Sequence, residues 1–173
     1  MQKIVLVGYM GSGKTEIGKL LSKKVNLPFY DLDFLIEKEL GKSVATIFLE
    51  KGEIYFRKIE HQLLLEQMNK EEGFVLSLGG GTPCYANNHE AIQADGVIAI
   101  YLKASITTLV TRLYTNRSKR PLIKDLTAIE LEEFIAKHLF ERSFYYNQSK
   151  HIITVDNKTP DEIVEAISVF YSK

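Results

Sequence analysis

Residues 8–15 read G-Y-M-G-S-G-K-T, which fits G-x-x-x-x-G-K-[ST] at every fixed position. An apolar run, K-I-V-L-V, leads into it and an amphipathic stretch, E-I-G-K-L-L, leads out, so the motif joins a strand to a helix. No other feature of the chain restricts its fold as strongly. The glycines let the backbone curl until successive N–H groups point inward at phosphate oxygens, and the helix behind adds its positive end. Lys14 is placed to reach the β- and γ-phosphates and the Thr15 hydroxyl to ligate Mg²⁺. A nucleoside triphosphate site at the end of a first β-strand is predicted.

The remaining sequence supplies a sheet for that strand. Residues 3–7, 28–33, 74–78, 97–102 and 151–155 are short, β-branched or aromatic and nearly continuously apolar, as befits strands covered on both faces. Helical spacing fills the intervals, most clearly at residues 53–69 and 128–146. A last helix opens on T-P-D-E, with Thr159 as N-cap, Pro160 in the first position and Glu162 three residues after the cap. Five strands alternating with helices predict an α/β fold, a three-layer α/β/α sandwich around a five-stranded parallel sheet, in one domain over residues 1–173. The basic segment T-N-R-S-K-R-P-L-I-K-D, residues 115–125, has no clear periodicity and reads as a mobile lid.

Charge and composition remove several alternatives. With 22 basic and 22 acidic side chains, nothing global favours nucleic acid or an anionic membrane. No apolar run approaches the roughly 20 residues that cross a bilayer, and no charged leader precedes the first strand. The single cysteine, Cys84, has no partner for an internal disulfide. A cytoplasmic monomer is expected.

Three further stretches bear on the chemistry. D-L-D at residues 31–33 places two carboxylates on one face if the second strand persists that far, one near Mg²⁺ and one able to accept a hydroxyl proton. The competing reading is a pair of caps opening a helix at Phe34. Glu53, Arg57 and Glu60 share one helical face, either as an exposed ion-pair ladder or, with Phe48 and Phe56 close by, as a carboxylate pocket. Gly79, Gly80 and Gly81 follow the third strand directly, as a flexible turn or as bare backbone against which a small ligand presses. The four histidines show no ligand spacing.

Together, the P-loop, D-L-D, G-K-S-V-A-T-I-F-L-E-K-G-E-I-Y-F-R-K-I-E, S-L-G-G-G-T, R-P-L and E-R-S-F-Y-Y resemble the shikimate kinase family in order and spacing, over essentially the whole chain. The resemblance implies a P-loop kinase fold, ATP as co-substrate, Mg²⁺, and transfer of the γ-phosphoryl to the 3-hydroxyl of shikimate on the way to chorismate and the aromatic amino acids. It implies Gly11, Ser12, Gly13, Lys14, Thr15 and Glu16 as nucleotide contacts, with Thr15 and Asp31 at the metal. It implies Asp33 as proton acceptor and hydroxyl ligand, Arg57 and Arg142 as carboxylate clamps, Glu60 orienting Arg57, and Gly80 abutting the substrate. The acceptor would bind on helices within residues 33–61, and Arg120 would close with the lid. Arg112, Arg117 and Lys158 are secondary nucleotide candidates. Leu32 stands where the family pattern has threonine, and an arginine expected near Lys158 is missing.

Two other functions compete. A kinase for gluconate or a nucleoside monophosphate would share the P-loop but would not require Arg57 with Glu60 ahead of G-G-G-T. A guanine-nucleotide switch needs N-K-x-D, and the chain offers N-K-T-P-D, with Asp161 one place late.

Overall fold

The computed structural model describes residues 2–171. Strands β1 (Lys3–Val7), β2 (Phe29–Asp31), β3 (Phe74–Ser77), β4 (Val97–Lys103) and β5 (His151–Thr154) form one parallel sheet in the order β2-β3-β1-β4-β5. Helices α1 (Lys14–Val25), α2 (Leu32–Leu40), α3 (Val44–Met68), α4 (Asn88–Ala91), α5 (Ile106–Thr115), α6 (Ala128–Tyr146) and α7 (Pro160–Tyr171) make the connections. α7 packs on α1 and α5 on α6; with right-handed crossovers the helices cover both faces of the sheet. The core lies where that cover is complete: Ile4, Val5, Leu6 and Val7 of β1 and Phe74, Val75 and Leu76 of β3 are wholly buried. No helix among the described residues is long and apolar enough to cross a membrane.

Departures from the predicted boundaries have local causes. β2 stops at Asp31 instead of running to residue 33. There the Asp31 carboxylate accepts from the N–H of Asp33 at 3.1 Å and of Phe34 at 3.5 Å, capping α2, so Asp33 sits on a helix and not on the strand. α3 begins at Val44, capped by Ser43, and breaks at Gly52 (φ 81°, ψ 173°); the helix predicted from residue 53 is its second half. Residues 115–125 hold the end of α5 and a 3₁₀ turn at Arg117–Lys119, and Ile123 is wholly buried beside an exposed Leu122.

The cap predicted at Thr159 forms as a reciprocal pair. Its hydroxyl accepts from the Glu162 N–H at 3.3 Å while its own N–H donates to Glu162 Oε2 at 2.7 Å. Thr159→Ala is expected to remove about 1 kcal/mol of stability. In a chain this size that lowers Tm by roughly 2–4 °C, read by thermal unfolding; an unchanged Tm would show the cap to be idle.

Candidate active site

Neighbouring strands β1, β3 and β2 end at the same edge of the sheet and deliver the P-loop, the glycine run and Asp31, respectively. In the P-loop, Gly13 takes a left-handed conformation (φ 98°) to open α1. Lys14 Nζ donates to the carbonyls of Gly8 at 2.8 Å and Tyr9 at 3.0 Å. Burial pushes the Lys14 ammonium down to about 8; Asp33 and Asp31 oppose the shift, and Arg120 and Arg142 add to it. It is still a cation at neutral pH. Ser12 Oγ is buried in the loop with no protein partner, a donor open to a ligand oxygen.

Two cavities meet at this loop. One, of about 750 Å³, lies between the P-loop and the walls made by Arg112, Leu113, Asn116, Lys158, Pro160 and Ile163. The other, of about 340 Å³, is lined by Lys14, Thr15, Asp31, Asp33, Gly79 and Gly80. Glu16 and Arg120 line both. Arg112 donates to the P-loop carbonyls of Gly11 (3.2 Å) and Ser12 (3.4 Å). Arg117 turns away: it donates to the Tyr114 carbonyl at 2.8 Å, lies over the Tyr114 ring at 3.8 Å, and lines neither cavity.

The two carboxylates of D-L-D take different environments. Asp31 divides its oxygens, Oδ1 capping α2 and Oδ2 accepting from Thr15 Oγ1 at 2.9 Å. The capping reading therefore holds for Asp31. A hydroxyl and one carboxylate oxygen side by side, beside a phosphate site, suit Mg²⁺, which takes one or two carboxylates and fills its shell with phosphate oxygens and water. No group of three or more His, Cys, Asp or Glu among the described residues forms a metal cage. Asp33 is pushed up to about 6 by burial, then by Asp31 and Glu60, with Lys14 opposing. A carboxylate poised there can hold or release a proton near neutral pH.

The glycine run is shaped by the protein's own side chains. A Cβ on Gly79 would stand 3.0 Å from Asp33 Oδ1, on Gly80 3.4 Å from Arg142 Nη1, and on Gly81 2.6 Å from Arg57 Nη2. The turn is bare so that a carboxylate and two guanidiniums can close on it. Arg57 is held by Glu60 at 2.7 Å, and buried Glu60 takes a second bond from Thr82 Oγ1, also at 2.7 Å. The contact to exposed Glu53, 3.4 Å, is longer. Half the ladder is thus surface and half is a buried anchor. Phe56 lies under Arg57 as predicted, but Tyr85, at 4.1 Å, is closer and was not predicted. Arg142, on α6, has no carboxylate within ion-pair distance among the described residues. Tyr146, one turn on, donates to the Gly80 carbonyl at 2.5 Å.

A parallel sheet ending in a P-loop, with a carboxylate and arginines gathered at the next strand's end, is the arrangement of a P-loop small-molecule kinase. The family to which it belongs is equally plain. The shikimate kinase family model matches residues 10–171. Shikimate kinase from Flavobacterium psychrophilum is 62% identical over 167 residues, 96% of this chain and 97% of that one. The crystal structure of shikimate kinase from Bacteroides thetaiotaomicron superimposes with a TM-score of 0.91 at 33% identity, covering 99% of each chain. That of the Acinetobacter baumannii enzyme in complex with shikimate does so at 0.87 and 28% identity, covering 100% of this chain and 95% of that one. The chain belongs to the shikimate kinase family.

The raised Asp33 acid carries a stability consequence with a definite sign. Its ionised form is disfavoured in the folded state, so the destabilisation is fully present above about pH 6 and fades as pH falls toward the ordinary carboxylate range. Asp33→Asn should therefore raise stability at pH 7, by about 1–3 kcal/mol. Thermal melts in EDTA, without nucleotide, should show a gain at pH 7.5 that disappears near pH 4. A lower Tm for the variant at pH 7.5 would contradict this.

Proposed function

We propose that the chain transfers the γ-phosphoryl group of ATP to the 3-hydroxyl of shikimate. One observation carries the reading: a half-buried carboxylate and two guanidiniums close on a single side-chain-free turn beside the P-loop lysine. Shikimate presents one carboxylate and three ring hydroxyls, which call for a guanidinium grip at one end and a carboxylate acceptor at the other.

In this reading Arg57 and Arg142 clamp the acid's carboxylate, Gly80 abuts the ring, and Asp33 binds its hydroxyls. Gly11, Ser12, Gly13, Lys14, Thr15 and Glu16 hold the triphosphate, with Arg112 and Lys158 on the base side. The shikimate 3-oxygen bonds to the γ-phosphorus as the bond to the bridging oxygen breaks; ADP takes the leaving electrons and the hydroxyl proton passes to Asp33. Thr15 and Asp31 would hold Mg²⁺, which when bound would supply neutralising charge to the phosphates. Because the transition state is loose, alignment and charge matter more than proton removal. Lys14 and Arg120 supply that charge, and residues 115–125 form a lid that brings Arg120 down and excludes water.

The test is ADP release by the purified protein with ATP and Mg²⁺, alone and with shikimate, gluconate, CMP or AMP. Stimulation by shikimate alone is the expected result; stimulation by another acceptor would overturn the pocket assignment. Arg57→Lys keeps the charge but loses the two-pronged grip. It is expected to lower kcat/KM for shikimate roughly 10- to 100-fold while the KM for ATP moves less than about twofold. Equal losses on both substrates would remove Arg57 from the acceptor site.

A further inference from the structure

The two arginines of the acceptor pocket are held by different means. Arg57 has an anionic partner, Glu60 at 2.7 Å. Among the described residues Arg142 has none; its guanidinium bonds to the Tyr146 hydroxyl and lies over the ring of Tyr9, a P-loop residue, at 5.6 Å. Tyr9 is 1% exposed, so its hydroxyl must find a partner inside the protein. It finds Nδ1 of His138 at 2.9 Å, across 129 residues of sequence.

His138, Arg142 and Tyr146 recur every fourth residue of α6 and so line one stripe of the helix. Each turn of that stripe touches the site: His138 at the Tyr9 hydroxyl, Arg142 at the Tyr9 ring and beside Gly80, Tyr146 at the Gly80 carbonyl. The Phe134 ring meets His138 edge-on at 4.3 Å and closes the stripe's upper end. Burial and the Arg142 charge hold His138 below the usual imidazole range, which keeps a ring nitrogen free to accept. Burial pushes the Tyr9 hydroxyl up to about 12, which keeps it a donor.

We infer that Tyr9 is a positioning residue for Arg142 beside Tyr146, and that His138 fixes the tilt of the Tyr9 ring that the guanidinium faces. The inference deepens the proposed function and rests on its assignment of Arg142 to the substrate carboxylate. The physical advantage lies in charge. A carboxylate partner would orient Arg142 but offset the charge with which it attracts an acid; an aromatic face orients it and leaves that charge available. The Tyr9 carbonyl also accepts from Lys14 Nζ and from the Ser12 N–H. One residue thus serves the phosphate loop through its backbone and the acceptor clamp through its side chain.

The test uses the full chain with four variants: Tyr9→Phe, His138→Leu, their double, and His138→Asn, whose amide oxygen restores an acceptor. Tyr9→Phe and His138→Leu are each expected to raise the KM for shikimate about fivefold to tenfold, with the KM for ATP within about twofold of wild type. The double variant should match either single one, because both remove the same bond. His138→Asn should return most of the loss, and thermal melts establish that each variant is folded. An unchanged shikimate KM, equal rises for both substrates, or additive losses in the double would overturn the inference. If Tyr9→Phe does not fold, the contrast between His138→Leu and His138→Asn decides alone, equal KM values overturning it. Arg142→Ala is the reference. No rise in its shikimate KM would overturn the carboxylate-clamp reading and this inference with it. A rise there with none in Tyr9→Phe and His138→Leu would overturn the inference alone.

Discussion

The turn at residues 79–81 has little room beyond its backbone at Gly79 and Gly81, where a Cβ would stand 3.0 and 2.6 Å from its neighbours. Three charged side chains from three helices close on it: Asp33 from α2 and Arg57 from α3 crowd the space a methyl group would take, and Arg142 from α6 lies at contact distance from Gly80. Their convergence depends on β3 ending beside β1, because that pairing sets the turn against the P-loop. A side chain on Gly81 would displace Arg57, and with it the anchored Arg57–Glu60–Thr82 chain of hydrogen bonds. The geometry of the acceptor side is therefore fixed by absence of bulk at one place and by buried polar pairing just behind it.

Charge is arranged in the same economical way. Lys14 is pushed down and Asp33 up, each mainly by burial, so both ions sit in surroundings that favour their neutral forms. Such a site works against the folded state and needs a rigid frame, which the buried residues of β1 and β3 provide. Groups already stripped of water respond strongly to an arriving triphosphate and acid, and need no reorganisation when charge moves. The same burial that weakens the fold locally is what readies the site.

What could be read from the sequence was local. The P-loop is a contiguous pattern whose glycines and lysine serve one backbone shape, and the Thr159 cap is a pairing of residues three apart. The buried strands announce themselves by unbroken apolar runs. The end of β2 was not legible, because Asp31 suits a strand end and a helix cap equally until its carboxylate meets the N–H of Asp33. Nor were Tyr85 under Arg57, the turning away of Arg117, or the burial of Ile123, all of which lie in irregular segments without periodicity. The glycine run was legible as a need for bare backbone, though the groups that first occupy the space are the chain's own side chains.

A hydrogen bond across 129 residues joins Tyr9 to His138 and so ties the P-loop to α6. α6 starts immediately after the segment carrying Arg120, with Thr127 and Glu130 forming a reciprocal cap at its first turn. Its later turns hold His138, Arg142 and Tyr146 against the P-loop and the glycine turn. Through α6 the P-loop is therefore tied to the glycine turn, by the Tyr9–His138 hydrogen bond on one side and by the Tyr146 hydroxyl on the Gly80 carbonyl on the other, and both ties are set by the spacing of one helical stripe.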